Sequence, residues 1–203
     1  MAPASRYDAF ILDYGGVLVH HQSDSDQARL AEIADIPSER FSELYWSERL
    51  EYDRGLLSCN EYWNLIARKI GKTFREEQIH ELAELDTASW MNFDEGMWDW
   101  LEQLKTAGTP LGMLSNMPRE LGEALKTRTQ RLRTFDQVTL SYEIHSVKPE
   151  PAIYEHCLNG LETTRNRTLF LDDRLANVEG AEFVGMKGLQ FTSRDEILPL
   201  LKT

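Results

Sequence analysis

Carboxylates stand at the ends of two short apolar runs in this sequence. Asp13 follows a Phe-Ile-Leu run, and the adjacent pair Asp172 and Asp173 follows a Thr-Leu-Phe-Leu run. A carboxylate that ends a buried strand can act as a nucleophile or a metal ligand, and a plain turn residue is the structural alternative. Two adjacent carboxylates stay ionised most easily beside a cation, and Mg²⁺ prefers oxygen ligands. Capping of the next helix, by Asp173 or Asn177, is compatible with that role.

Side chains suited to an anion occur in two other places. Ser115 and Asn116 end a third apolar run shortly before Pro118, which favours a helix start. A hydroxyl and backbone N–H groups at a helix start can bind an anion, or can simply cap the helix. The proline after Lys148 favours an extended backbone at the lysine. An ammonium group held there could pair with a phosphate and with Asp13, unless it is an ordinary solvated loop lysine.

Apolar runs and amphipathic stretches alternate along most of the chain. Strands are predicted at 10–12, 111–114, 138–140, 168–171 and 188–191. Helices are predicted at 95–107, 118–131, 151–160 and 176–184. This alternation predicts an α/β fold with a parallel sheet covered by helices. Ligands of such sheets bind beyond the carboxyl ends of the strands, so the sheet would bring Asp13, Ser115 and Asp172 to one site.

Residues 21–90 interrupt this alternation. Helices are predicted there at 28–34, 38–52, 60–70 and 76–85, with no strand. We therefore expect an inserted all-helical cap subdomain at 21–90, and an α/β core domain formed by 1–20 and 91–203. A lid at this place could cover the site and exclude water. The cap aromatics could line a sugar site, although their helical spacing is more typical of a cap core. They are Tyr45, Trp46, Tyr52, Tyr62 and Trp63.

Charge and composition limit the partners of the protein. The 203 residues carry a formal net charge of −12, which repels nucleic acid and anionic lipid. A small anionic substrate could bind only where a metal, a lysine or helix N-termini offset that charge. Cys59 and Cys157 lie far apart, and the N-terminus has no apolar signal core, so a reducing, cytoplasmic location is expected. No apolar run is long enough to span a bilayer.

Four segments, in this order, resemble the four motifs of the haloacid-dehalogenase-like (HAD) superfamily of hydrolases. They are FILDYGGVL around Asp13, LGMLSN ending at Asn116, SVKPEPAIY around Lys148 and LFLDDRLANVEGA around Asp173. The resemblance covers nearly the whole chain and implies a Rossmann-like core with a helical cap. The cap phrase YDRGLLSCNEYW resembles a segment of the sugar-phosphate phosphatase branch. The run Asp-Tyr-Gly-Gly-Val is also similar to the first motif of its glucose-1-phosphate phosphatases.

The resemblance implies a Mg²⁺-dependent phosphatase that acts on a small phosphorylated metabolite. Asp13 would attack phosphorus and form an aspartyl phosphate. The Mg²⁺ ligands would be Asp13, the Gly15 carbonyl, and Asp173 with Asp172 in support. The phosphate-binding residues would be Ser115, Asn116 and Lys148. Lys148 would also offset the charge of Asp13, so catalysis would depend mainly on positioning and charge neutralisation.

The residue two positions after the candidate nucleophile departs from the family pattern. Family members usually have a second Asp there, as general acid and base, whereas this chain has Gly15. General acid–base help is worth about 10²–10⁴-fold, so its loss bears on turnover. His20 or His21 could take over the role, or could be hinge residues in solvent. Gly15 could also hold a backbone conformation that Asp reaches only at a cost.

Three hypotheses follow from these residues. The first is a phosphatase whose substrates have good leaving groups, such as sugar 1-phosphates. The second is a 2-haloacid dehalogenase, a class that also lacks the second Asp but needs no metal; the Asp172–Asp173 pair disfavours it. The third is a binding or regulatory module with weakened turnover, which Gly15 favours and the other intact candidate residues disfavour. Arg54 and Arg119 could touch the substrate, or could only cap and solvate.

Overall fold

A five-stranded parallel sheet forms the centre of the molecule in the computed structural model, which describes residues 7–196. The strands are β1 Ala9–Leu12, β2 Leu111–Ser115, β3 Gln137–Leu140, β4 Thr168–Asp172 and β5 Lys187–Gln190. Their order across the sheet is β3-β2-β1-β4-β5. Every residue of β1, β2 and β4 is buried, because helices cover both faces of the sheet, and this is why these strands are continuous apolar runs. The predicted strands are thereby confirmed.

The helices lie between the strands and in one long insertion. In chain order they are α1 Asp24–Ala34, α2 Ser38–Ser47, α3 Arg49–Asp53, α4 Cys59–Lys69, α5 Glu76–Ser89, α6 Glu95–Thr106, α7 Arg119–Arg128, α8 Ser141–Ile144, α9 Pro151–Leu161 and α10 Leu175–Phe183. The first five follow β1 directly and include no strand. Within residues 7–196, no helix is long and apolar enough to cross a bilayer.

Helices α1 to α5 pack around a core of their own. This cluster includes Phe41, Tyr45, Tyr62, Trp63 and Leu82, and it is distinct from the two clusters that cover the sheet. Of the cap aromatics, all but Trp46 are at most 2% exposed, as expected for core residues. Trp46 is 48% exposed. Helices α1 to α5 therefore have an apolar interior separate from that of the sheet.

Some helix boundaries differ from those that the sequence pattern predicts. Helix α1 begins at Asp24 because Ser23 forms a capping box with Asp26, which the apolar pattern does not register. The stretch predicted as one helix over 38–52 breaks at Glu48 into α2 and α3. The break precedes Arg49, whose buried side chain is bound within the cap. Tertiary contacts thus override a local helical pattern. Helix α7 ends at Arg128, three residues before the predicted end.

Helix α3 and the turn after it connect the cap to the core. The Ser141 hydroxyl donates a hydrogen bond to the Asp53 carbonyl, and the Tyr52 hydroxyl donates to Glu120 at 2.8 Å. Arg54 pairs with Glu150 at 2.7 Å. Gly55 has a φ of 77°, and a Cβ there would lie 2.9 Å from the Tyr142 carbonyl oxygen, so only glycine fits this approach. The cap is therefore fixed to the core at its α3 end.

Candidate active site

Three carboxylates meet at the carboxyl edge of the sheet. Asp13 follows β1, Asp172 ends β4 and Asp173 follows it. One oxygen of each lies within 4.8 Å of the others. Asp172 is completely buried and Asp13 nearly so, whereas Asp173 is partly exposed. Because β1 and β4 are parallel neighbours, their ends coincide, and the predicted convergence of these residues is observed.

Lys148 supplies the positive charge of this cluster. Its Nζ lies 2.7 Å from Asp13 Oδ1 and 2.6 Å from Asp172 Oδ2, and the side chain is almost fully buried. Burial alone would lower the pKa of Lys148, but the two carboxylates outweigh it, and the pKa is raised. Lys148 is therefore a shared cation between two carboxylates and is not a solvated loop lysine.

Asn116 holds the backbone of Lys148 in place. Its side-chain Oδ1 accepts a hydrogen bond from the Lys148 N–H at 2.8 Å, and its Nδ2 donates to the Lys148 carbonyl at 3.1 Å. The amide group is thus occupied by the lysine, a role that the sequence does not reveal. Ser115 is buried, and its hydroxyl makes only a long contact of 3.5 Å with the Asn116 carbonyl. Asn116 lines the cavity described below, and Ser115 does not.

Asp172 is held by a second set of hydrogen bonds. Its Oδ1 accepts from the Arg174 N–H at 2.9 Å, and Asn177 Nδ2 lies 3.0 and 3.1 Å from its two oxygens. Arg174 is the N-cap residue of α10, and no side chain caps this helix, so neither Asp173 nor Asn177 has the capping role. Asn177 instead fixes Asp172. The sequence signal for this contact is the five-residue spacing between the two, which places Asn177 in the first turn of α10.

Asp173 faces outward from the cluster toward His21. The His21 Nε2 lies 3.2 Å from Asp173 Oδ2, and the His21 side chain is 65% exposed. Burial, together with the charge of Asp172, raises the pKa of Asp173, although His21 opposes that change. His21 thus lies beside the carboxylates, and its acid–base role stays a prediction. The structure shows no contact of the His20 side chain with these carboxylates.

Trp90 occupies the space beside Gly15. The φ of Gly15 is not positive, so the expected backbone restraint at this residue is wrong; the positive φ of the loop, 72°, belongs to Gly16. A Cβ on Gly15 would lie 3.3 Å from Trp90 Cζ3. The ring is fixed because its Nε1 donates to the Tyr45 hydroxyl at 3.2 Å. Nothing in the local sequence links residues 15 and 90.

The floor of the site consists of Asp13, Lys148, Asp172 and Asp173, and its carboxylate oxygens fit a divalent metal ion. When all three carboxylates are ionised, Lys148 offsets one of them and leaves two negative charges among these four side chains. Burial raises the pKa of Asp13 to about 8, although Lys148 acts in the opposite direction. A hard dication with oxygen ligands would relieve this repulsion, and Asp13, Gly15 and Asp173 all line the cavity where it would bind.

A cavity of about 500 Å³ lies above this floor, between the cap and the core. Its cap wall is formed by Trp46, Arg49, Leu50 and Asp53 of α2 and α3. The rest of its lining includes Trp90, the last residue of the cap segment, and Leu121 and Arg174 of the core. Arg54 and Arg119 do not line it: Arg54 pairs with Glu150, and Arg119 stacks 5.2 Å from the centre of the Tyr142 ring. Both arginines therefore have structural partners.

Comparisons with known proteins agree with this arrangement. The family model for haloacid dehalogenase-like hydrolases matches residues 7–185. The chain is 29% identical to the sesquiterpene phosphatase astK of Aspergillus oryzae, over 93% of this chain and 91% of that protein. A HAD family enzyme of Bacteroides thetaiotaomicron, in a magnesium complex, is 20% identical with a TM-score of 0.78, covering 97% of this chain and 99% of that one. The L-2-haloacid dehalogenase of Xanthobacter autotrophicus, with chloropropionic acid covalently bound, is 19% identical with a TM-score of 0.71, covering 93% and 80%. At these identities the solved structures show a shared fold alone.

Proposed function

Because the chain belongs to the haloacid dehalogenase-like hydrolase family, we propose that it is a Mg²⁺-dependent phosphatase of a small phosphorylated metabolite. The observation that carries the proposal is the charge of the floor. Its two uncompensated carboxylate charges call for a dication, and a dication beside a nucleophilic carboxylate is the equipment for phosphoryl transfer. We also propose that 21–90 is the cap subdomain and that 1–20 with 91–203 is the core.

Asp13 is the proposed nucleophile, through its Oδ2 atom. The Tyr14 N–H donates to Oδ1 at 2.6 Å, and Lys148 Nζ also contacts Oδ1. Both contacts fall on the same oxygen, so Oδ2 is the atom left to attack a substrate in the cavity. Attack on phosphorus forms an Asp13–phosphate bond, breaks the bond between phosphorus and the ester oxygen, and releases an alkoxide, which takes a proton from water to become the alcohol. Water then attacks the aspartyl phosphate, releasing inorganic phosphate and restoring Asp13.

The other site residues hold charge and geometry during these two steps. Lys148 keeps Asp13 in place and offsets part of the developing negative charge. A bound Mg²⁺ ion, held by Asp13, the Gly15 carbonyl and Asp173, would supply the remaining charge neutralisation. Asp172 supports it indirectly, since its oxygens are occupied by Lys148 and Asn177.

Residues at the end of β2 are proposed to bind the phosphate oxygens. Ser115 has a hydroxyl without a short hydrogen bond among residues 7–196, and it lies at the end of a strand beside the cavity-lining Asn116. The side-chain amide of Asn116 is used by Lys148, so its contribution to phosphate binding would come from its backbone N–H. Lys148 is the third proposed phosphate-binding residue.

A haloacid dehalogenase would use the same carboxylate against carbon instead of phosphorus. Its reaction does not need a dication, and two uncompensated carboxylate charges would then remain buried at the floor, which is costly. The shared fold with a dehalogenase does not separate the two reactions, since the same fold carries many chemistries. The charge balance therefore favours the phosphatase.

Two kinds of substrate are suggested by the similarities of the chain. The first motif and the cap phrase resemble those of phosphatases for sugar phosphates, and a sugar 1-phosphate has a fairly good leaving group. The relative from Aspergillus oryzae is named a sesquiterpene phosphatase, and a sesquiterpene is a hydrocarbon. A sugar requires a polar cavity wall and a terpenoid requires an apolar one, so the lining of the cavity discriminates between them.

The decisive experiment is hydrolysis of p-nitrophenyl phosphate with Mg²⁺ and with a chelator. We expect activity with Mg²⁺, none with the chelator, and none for Asp13→Asn. Asp99→Asn is the matched control, because Asp99 is exposed on α6 and does not line the cavity. Equal rates in chelator, an active Asp13→Asn protein, or chloride release from 2-chloropropionate in place of phosphate release would refute the proposal.

A further inference from the structure

Two exposed apolar side chains lie on the wall of the active-site cavity. Among residues 7–196, the large hydrophobic side chains that are exposed are Trp46, Leu50, Leu56, Leu175 and Phe183. Trp46 and Leu50 are each 48% exposed, and both line the cavity above Asp13. Exposed apolar groups on a concave wall, next to a few convergent polar groups, are typical of a ligand site.

Neither side chain belongs to the interior of the cap. The cap core contains their neighbours Tyr45 and Tyr52, but not Trp46 or Leu50. The Trp46 ring instead lies with its edge toward Tyr45, at 4.9 Å between ring centres, and at 6.5 Å from Trp90. Stability of the cap does not explain why these residues are apolar, because they are packed against too little of it.

The rest of the cavity lining is apolar in part, although it also includes the exposed Arg174. Leu121 of α7 and Trp90, the last residue of the cap segment, supply its apolar part, and both are largely buried. The apolar part of the lining near Asp13 is therefore formed by Trp46, Leu50, Trp90 and Leu121. Water in such a space has few hydrogen-bonding partners, so its displacement by hydrocarbon is favourable.

The ionisable groups of the cap wall are already paired with each other. Arg49 Nε donates to Asp53 Oδ1 at 2.8 Å, and its Nη1 lies 2.9 Å from Asp86 Oδ2. The Arg49 side chain is only 6% exposed. A sugar would need several free hydrogen-bond donors and acceptors on the cap wall, because sites that recognise hydroxyl groups bind each of them with a dedicated polar partner. The cap wall does not provide such a set.

We propose that the phosphate ester bound here carries an apolar alkyl or alkenyl chain, which Trp46 and Leu50 of the cap and Leu121 of the core enclose above the phosphoryl site. This inference rests on the proposed function, since it names the substrate class of the same site. The alcohol that is released is then a hydrocarbon alcohol. The cavity volume of about 500 Å³ lies in the range that accommodates a ligand of this kind.

The test uses n-alkylphosphonates from methyl to octyl, which bind but cannot be hydrolysed. Their dissociation constants are measured by calorimetry on the intact protein with Mg²⁺, below the concentrations at which the longer members form micelles. Each buried methylene is expected to tighten binding about fourfold. Glucose 1-phosphate is the polar competitor, and it should bind more weakly than octylphosphonate. A flat series, or tighter binding of glucose 1-phosphate, overturns the inference.

Leu50→Asn and Leu56→Asn form a matched pair of variants. Leu56 is also an exposed leucine of the cap, at 58%, but it does not line the cavity. Leu50→Asn should weaken octylphosphonate binding about tenfold and methylphosphonate binding much less, whereas Leu56→Asn should leave the series unchanged. Trp46→Gln provides a second cavity substitution with the same expected loss. Equal effects of Leu50→Asn and Leu56→Asn would overturn the assignment of the wall.

Hydrolysis of p-nitrophenyl phosphate distinguishes failure of the proposed phosphatase activity from failure of the proposed substrate class. If it fails while the chain-length series is steep and depends on Leu50, the phosphatase proposal is wrong and the apolar ligand stands. If hydrolysis succeeds while the series is flat, the phosphatase stands and the apolar substrate class is wrong.

Discussion

A chain of hydrogen-bonded side chains fixes Asp13, the proposed nucleophile. Asn177 holds Asp172, Asp172 holds Lys148, and Lys148 holds Asp13, each through hydrogen bonds of 3.1 Å or shorter. Each member is buried, so rotamer freedom is small and the charges interact in a low dielectric. The Oδ1 atom of Asp13 is thereby fixed from the core side. Removal of Lys148 would leave two buried carboxylates without their cation.

Asp173 is the second side-chain carboxylate proposed to bind Mg²⁺, so its substitution tests the metal site. Asp173→Ala removes one of the two uncompensated charges, and we expect it to weaken Mg²⁺ binding and to abolish hydrolysis while the protein remains folded. Calorimetric titration with Mg²⁺ measures the first effect, and thermal unfolding checks the fold. Thermal stability of the wild type should also rise with Mg²⁺, because ligand binding to the native state stabilises it. Unchanged Mg²⁺ affinity in Asp173→Ala would contradict the assignment.

The absence of a carboxylate at residue 15 predicts a kinetic signature. Breakdown of the aspartyl phosphate needs a base to deprotonate water, and an activated aryl phosphate needs no acid to form it. Rapid mixing with p-nitrophenyl phosphate should therefore release a burst of nitrophenol that approaches one per active site. A poorly leaving alkyl phosphate should give no burst, since the first step is then slow as well.

Gly15→Asp and Gly15→Ala separate the missing base from crowding. Both add a Cβ that meets Trp90 at 3.3 Å, and only the first adds a carboxylate. Relative to Gly15→Ala, Gly15→Asp should raise steady-state turnover by about 10²-fold, the low end for a positioned acid–base group. Equal turnover of the two variants, with no burst in the wild type, would mean that another residue already supplies the base.

At the scale of elements, the α3 end of the cap depends on one close approach of two backbones. Gly55→Ala should destabilise the protein because φ there is 77° and the new Cβ would lie 2.9 Å from the Tyr142 carbonyl. Gly71→Ala is the control, since its φ is 69° but nothing lies within 4 Å of its Cβ. Strain alone should cost about 1 kcal/mol at either position. The extra contact should cost Gly55→Ala about 1–3 kcal/mol more.

The free energy of unfolding from denaturant titrations measures both variants. Equal losses for Gly55→Ala and Gly71→Ala would show that the turn after α3 can move away from α8 without cost. A larger loss for Gly55→Ala together with reduced hydrolysis would show that docking of α3 also shapes the cavity.

Elements defined by local patterns could be predicted from the sequence. The buried strands are continuous apolar runs, and Asp13 and Asp172 lie at their ends, so the convergence of the carboxylates follows from parallel topology. The break at Glu48 could not be predicted, because it depends on the positions of the carboxylates that bind the buried Arg49 side chain. The placement of Trp90 beside Gly15 also depends on how the cap meets the core.

At the scale of the whole molecule, net charge opposes the proposed substrate. The chain carries −12, and a phosphate ester is also an anion. Raising KCl from about 20 to 200 mM shortens the Debye length to below ~10 Å, so the repulsion between protein and substrate is screened. We expect KM for p-nitrophenyl phosphate to fall about two- to threefold over this range. Potassium glutamate in place of KCl controls for chloride binding, and a KM that rises in both salts would contradict the expectation.

The contact between residues 15 and 90 also constrains the order in which substitutions could accumulate. A lineage that acquires Asp at 15 first would set the benefit of the new carboxylate against crowding by the Trp90 ring. A smaller residue at 90 would relieve that crowding, and it would remove the hydrogen bond from the Trp90 indole to Tyr45 at the cap. The two changes are therefore epistatic, because the cost of Asp at 15 depends on the residue at 90. A chain with this pair of residues can thus retain glycine at 15 through many generations, even where a faster second step would be advantageous.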